Sequence, residues 1–101
     1  MAFVRVAAAG DLADGEVMEV LHGDAPIAVC RVDGAWHAIS GVCPHRGGPL
    51  GQGVMEGRNV LCPWHLWAFD CLTGESDTFT DCRVQSYAVQ VQGDDVLVDL
   101  A

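Results

Sequence analysis

Short apolar segments separated by turn residues run along most of the chain. Residues 3–6 alternate apolar and polar side chains, and residues 27–32 are joined to 35–40 by Asp33-Gly34, a strong signal for a two-residue hairpin. The predicted strands cover residues 3–6, 16–21, 27–32, 35–40, 59–61, 67–70, 87–92 and 96–98. No segment has the apolar periodicity of a helix, and the glycines from 47 to 53 exclude a helix there. The pattern predicts one all-β, antiparallel domain over residues 1–101.

Composition and charge narrow the classes of function. The apolar runs are far shorter than the roughly 20 residues that a membrane-spanning helix needs. Fourteen acidic residues against five arginines give a formal net charge of -9, which disfavours nucleic acid and anionic membranes and favours a partner with a basic patch. The amino-terminal residues lack the basic start and long apolar run of an export signal, so we expect a cytoplasmic protein.

The five cysteines are an odd number in a chain without an export signal. A disulfide framework is therefore not expected. Cys30 and Cys71 are interpreted as small core residues, and Cys82 as a buried thiol, with a position covering the metal site as its alternative. His22 and His37 have no partner at ligand spacing and are interpreted as surface or half-buried strand residues.

Two loops that begin with Cys-Pro carry the candidate chemistry. The first contains Cys43 and His45, and the second contains Cys62 and His65. A structural zinc site usually takes its two cysteines from one short knuckle, whereas here each loop offers one cysteine and one histidine. Two thiolates on one iron and two imidazoles on a second iron would clamp a two-iron cluster between the loops. A mononuclear zinc site remains the alternative.

The motif Cys43-x-His45, followed after sixteen residues by Cys62-x-x-His65, resembles that of Rieske iron-sulfur proteins. The flanking segments HRGGPL and WAFDCLTGE resemble those of Rieske ferredoxins and of the Rieske domains of ring-hydroxylating oxygenases. The resemblance implies a small antiparallel β-sandwich or barrel with two cluster-binding loops. It also implies one [2Fe-2S] cluster, with Cys43, His45, Cys62 and His65 as its ligands.

The resemblance is to the low-potential branch of this family. High-potential members carry an extra cysteine in each loop, and these two cysteines form a disulfide; here Gly48 and Trp64 stand at those positions. The serine that follows the second histidine in those members, and a nearby tyrosine, also have no counterpart in the segment that begins with Leu66. Leu66 itself stands where the family usually has glycine, so it would need an uncommon positive φ or a different turn.

The implied function is that of a soluble, monomeric one-electron carrier. It would receive electrons from a flavin-dependent reductase and pass them to a terminal oxygenase acting on an aromatic or related apolar compound, through transient encounters. The chain has no room for the mononuclear iron domain of the oxygenases, so we expect no catalysis of its own. Two alternatives stay open: the small Rieske-like subunit of an assimilatory nitrite reductase, and a zinc-stabilised interaction module.

Overall fold

The computed structural model describes residues 3–44, 47–64, 66–76 and 82–100, and within them the chain forms ten β-strands and one turn of 3₁₀ helix. The strands are β1 (Phe3–Ala8), β2 (Val17–His22), β3 (Ala25–Val32), β4 (Ala35–Ser40), β5 (Val54–Glu56), β6 (Asn59–Leu61), β7 (Ala68–Asp70), β8 (Ser86–Tyr87), β9 (Val89–Gln92) and β10 (Asp95–Asp99). Across these ranges no helix has the length and apolarity needed to cross a membrane.

The strands pair in three antiparallel sheets, which confirms the predicted fold class. The orders are β1-β10-β9, β2-β3-β4-β8 and β5-β6-β7. The hairpin between β3 and β4 turns at Asp33 and Gly34, which both have positive φ (52° and 81°). This conformation matches the right-handed twist of the flanking strands, as expected for such a dipeptide.

The central sheet is buried on both faces, and two apolar cores result. Along β3, Ile27 and Val29 face the sheet formed by β1, β9 and β10, whereas Ala28 and Cys30 face the opposite way. We call the second of these the loop-side core, made of Ala28, Cys30, Ile39, Cys43, Leu50, Val60, Cys62, Phe69, Cys71 and Val84. Because β3 is covered on both sides, its middle four residues are all apolar instead of alternating.

Two local features differ from the sequence prediction. The glycine-rich stretch after the first Cys-Pro loop contains a 3₁₀ turn at Leu50–Gln52 and the short strand β5, neither of which was predicted. The predicted strand 87–92 is interrupted at Ala88, because β8 pairs with β4 of the central sheet and β9 pairs with β10 of the first sheet. One extended segment therefore passes from one sheet to another, which alternation alone cannot reveal.

The expectation that the chain forms no disulfide is wrong, because the structure joins Cys30 and Cys71. Both residues are fully buried, as expected, but β3 and the end of β7 bring their sulfurs together from positions 41 residues apart. Cys82 keeps its thiol, is half-buried and packs against the loop-side core.

Candidate metal centre

The two Cys-Pro loops have the same backbone hydrogen bonds. In the first loop the Cys43 carbonyl accepts from the Gly47 N–H (2.7 Å), and the Cys43 N–H donates to the Gly48 carbonyl (2.9 Å). In the second loop the Cys62 carbonyl accepts from the Leu66 N–H (2.9 Å), and the Cys62 N–H donates to the Trp67 carbonyl (2.8 Å). Each cysteine is thus fixed at the neck of a closed loop, with the same spacing of four and five residues.

The fourth residue after each cysteine is in the left-handed region of backbone conformation. Gly47 has φ 74° in the first loop, and Leu66 has φ 57° in the second. Glycine adopts this conformation without a steric penalty, whereas a branched residue there is a genuine exception. Of the two alternatives expected for Leu66, an uncommon positive φ or a different turn, the structure has the positive φ.

Both neck cysteines point into the loop-side core. Cys43 is 1% exposed and Cys62 is 2% exposed, and both keep their thiols. Their side chains belong to one buried cluster of apolar residues, and this cluster keeps solvent away from both sulfurs. Two buried thiols at the necks of two matched loops suit soft, thiolate-binding metals.

Gly48 lets the two loops approach each other. A Cβ atom added at this position would lie 2.6 Å from Sγ of Cys62 and 3.2 Å from Cδ2 of Trp64. The positions of Gly48 and Trp64, which the sequence comparison matched to the bridging cysteines of high-potential proteins, are therefore neighbours across the loops. The indole of Trp64 stands beside Gly48, and the missing side chain of Gly48 avoids an overlap with Sγ of Cys62.

The structure brings together two of the four predicted ligands, Cys43 and Cys62. The other two, His45 and His65, lie outside the described residues. Within the described ranges, no group of three or more histidine, cysteine or acidic side chains has metal-binding geometry. The sequence marked Gly48 only as the position of an absent bridging cysteine, and did not predict that its missing side chain would let the two loops approach each other.

The remaining histidines lie on strands, as predicted. His22 is exposed at the end of β2, and His37 is half-buried on β4 opposite Cys30. Burial lowers the pKa of His37 below its usual 6.5, and the nearby negative charge of Asp70 opposes this effect. Neither residue takes part in the two loops.

The four arginines that the structure describes are all engaged within the chain. Arg5 pairs with Asp95 and Arg58 pairs with Asp70, each at 2.7 Å. Arg31 donates to the Leu12 carbonyl (3.0 Å) and lies over the ring of Trp36, and Arg83 donates to the Thr73 carbonyl (3.2 Å). The pKa of Arg5 is raised by its hydrogen bond to Asp95. The acidic residues therefore dominate the field that an approaching partner meets.

Comparisons with known proteins agree with this geometry. The ferredoxin component of biphenyl 2,3-dioxygenase from Rhodococcus jostii (strain RHA1) is 38% identical over 102 residues, which cover 99% of this chain and 94% of that protein. A chain in the complex of reduced oxygenase and oxidized ferredoxin in carbazole 1,9a-dioxygenase superposes with a TM-score of 0.86 at 31% identity, covering 95% of this chain and 100% of that chain.

A protein assigned as the small subunit of an NADH-dependent nitrite reductase from Mycobacterium tuberculosis has a TM-score of 0.86 at 25% identity, with 96% of this chain and 93% of that chain covered. Residues 2–91 match the Rieske [2Fe-2S] domain. This chain therefore belongs to the Rieske [2Fe-2S] family, whose domain carries one such cluster.

Proposed function

We propose that this chain is a one-electron carrier, the ferredoxin component of an oxygenase system, and has no catalytic activity of its own. The observation that carries the proposal is the pair of matched loops, each with a buried cysteine thiol at its neck. Cys43 and Cys62 would supply thiolates to one iron, and His45 and His65 would supply imidazoles to the other. When bound, the cluster supplies a centre that takes up and returns a single electron.

The chain's own residues hold and shield this centre. The four neck hydrogen bonds fix the backbone at Cys43 and Cys62, so the main chain that carries the two thiolates does not have to be ordered when the metal binds. The loop-side core excludes water behind the sulfurs, and the absence of a side chain at Gly48 leaves space beside Cys62. A rigid site of this kind suits a carrier, because little has to reorganise when the charge changes.

The reduction potential should lie at the low end of the Rieske range, which extends from about -150 to +300 mV. Hydrogen bonds to the cluster sulfurs raise the potential, because they stabilise the more negative reduced state. Here the N–H groups of Cys43, Gly47, Cys62 and Leu66 already donate to backbone carbonyls. Neither Leu66 nor Trp67 offers a hydroxyl.

The proposed partners are a flavin-dependent reductase and a terminal oxygenase for an aromatic or related apolar compound. The 38% identity to a biphenyl dioxygenase ferredoxin component over almost its whole length supports this system more strongly than the 25% identity to the nitrite reductase subunit supports the alternative. The carrier would act as a single domain of residues 1–101, monomeric and cytoplasmic, and would meet its partners transiently.

Metal analysis and mutagenesis test the ligand assignment. The purified protein should be red-brown and should contain two irons and two acid-labile sulfides per chain. Replacing Cys43 or Cys62 by serine should abolish or strongly weaken the cluster, whereas Cys82→Ser is the matched control and should keep it. An intact cluster in Cys43→Ser or Cys62→Ser would remove that cysteine from the ligand set, and a colourless zinc protein would overturn the carrier function.

The size of the native protein and its ability to transfer electrons distinguish an oxygenase ferredoxin from a nitrite reductase subunit. The carrier should elute as a monomer from gel filtration of native extract, and should restore electron flow from reductase to oxygenase. Elution in a permanent large complex containing nitrite reductase activity would favour the alternative subunit.

A further inference from the structure

Leu66 combines two properties that the fold of this chain does not explain. It holds a left-handed backbone conformation (φ 57°), and its side chain is 65% exposed. Its counterpart in the first loop, Gly47, has the same backbone role without a side chain. A leucine at this position adds strain, and an exposed side chain recovers little of it through packing within the chain.

Two further large apolar side chains on the same pair of loops are exposed. Trp64 is 55% exposed and Val42 is 42% exposed. The loops that carry them touch where the Trp64 ring lies beside Gly48. We call Val42, Trp64 and Leu66 the apolar tip. Exposed aromatic residues such as Trp64 are enriched in protein interfaces, and the two aliphatic side chains extend the apolar area beside it.

We propose that Leu66 determines which terminal oxygenase this carrier binds, by filling an apolar recess on that oxygenase. The inference rests on the proposed function. The chain's net charge of -9, with its described arginines engaged internally, fits a recess bordered by basic side chains. A redox encounter buries a small area, so one protruding leucine forms a substantial part of it.

A matched pair of variants tests this proposal. Leu66→Ala removes the tip side chain, and Leu21→Ala removes a leucine that is equally exposed (66%) on β2. The probe is the purified terminal oxygenase of a biphenyl dioxygenase system, the kind of system to which the 38% identical relative belongs. The measurement is its Kd for the cluster-loaded carrier. Leu66→Ala should raise the Kd about tenfold, the effect of losing an interface anchor worth about one decade of affinity. Leu21→Ala should leave the Kd unchanged.

A stability measurement that needs no partner tests the strain. Leu66→Gly should have a higher denaturant midpoint than Leu66→Ala, because only glycine relieves the left-handed conformation. Iron content and absorption spectrum are measured for both variants, so that the midpoints are compared only between cluster-loaded proteins. If Leu66→Gly instead unfolds clearly more easily than wild type, the leucine stabilises its own chain and the proposal is overturned.

The outcomes separate this proposal from the proposed function. If the wild-type protein binds and reduces the oxygenase but Leu66→Ala has an unchanged Kd, the role of Leu66 is overturned and the carrier function stands. Wild type that neither binds nor reduces the oxygenase would overturn the carrier function, and with it the assignment of the apolar tip.

Discussion

Gly48 shows how a single missing side chain shapes the metal centre. A Cβ here would approach Sγ of Cys62 to 2.6 Å, too close for two non-bonded atoms. Gly48→Ala should therefore lower the iron content and destabilise the fold by about 1–3 kcal/mol, the usual cost of overpacking. Iron analysis and urea unfolding measure both effects. Gly10→Ala is the control, because a Cβ there meets no atom within 4 Å. Equal iron content in the two variants would contradict the close approach.

His37 makes the stability of the fold depend on pH, and this effect does not involve the two loops. Burial lowers its pKa in the folded state, so the unfolded chain binds the proton more tightly. The contribution of His37 to stability is complete above its usual pKa of 6.5 and is lost as the pH falls below that value. Urea midpoints between pH 5 and 8 should fall toward acid, and His37→Gln should reduce this slope. If the pH dependence of the urea midpoint is unchanged in His37→Gln, other titrating groups cause it.

Among the elements, the disulfide between β3 and the end of β7 connects the central sheet to the sheet that flanks the second loop. β6 ends just before Cys62, and β7 begins shortly after that loop. A disulfide between residues 41 positions apart stabilises the folded state by about 4 kcal/mol, because it reduces the conformational entropy of the unfolded chain. Reductant should therefore lower the unfolding midpoint. Denatured, cluster-free protein should take up three alkyl groups before reduction and five after it; five before reduction would show that Cys30 and Cys71 are thiols.

The elements also show what the sequence could reveal. β4 and β6 have the predicted boundaries, because clear turn residues or Cys-Pro bound them. β5 was missed because glycines dominate its surroundings, and the step from β8 to β9 was missed because alternation continues across it. The candidate ligands could be proposed from the two mixed Cys/His loops and the family resemblance that those loops carry. The equivalence of Gly47 and Leu66 could not be predicted from the sequence. It depends on the backbone hydrogen bonds of the two loops, and the histidine stands at a different position in each loop.

For the whole molecule, charge and apolar contact should act at different stages of an encounter. The net charge of -9 acts over distances set by the Debye length, which is about 10 Å at 0.1 M salt and about 3 Å at 1 M. The apolar tip acts only at contact, where salt screening has little effect. Attraction to a basic patch should therefore raise the rate of association, while Leu66 should mainly slow dissociation.

A salt series separates these two stages. The second-order rate of reduction by the proposed flavin-dependent reductase should fall steeply between 0.1 and 1 M salt, because screening removes the long-range attraction. The measurement is stopped-flow absorbance of the cluster, with the unfolding midpoint in each salt as the control for an intact fold. The effect of Leu66→Ala on oxygenase binding should persist at 1 M salt, since it comes from apolar contact. A reduction rate that is indifferent to salt, or that rises with it, would assign the acidic residues to solubility alone and leave docking to the apolar tip.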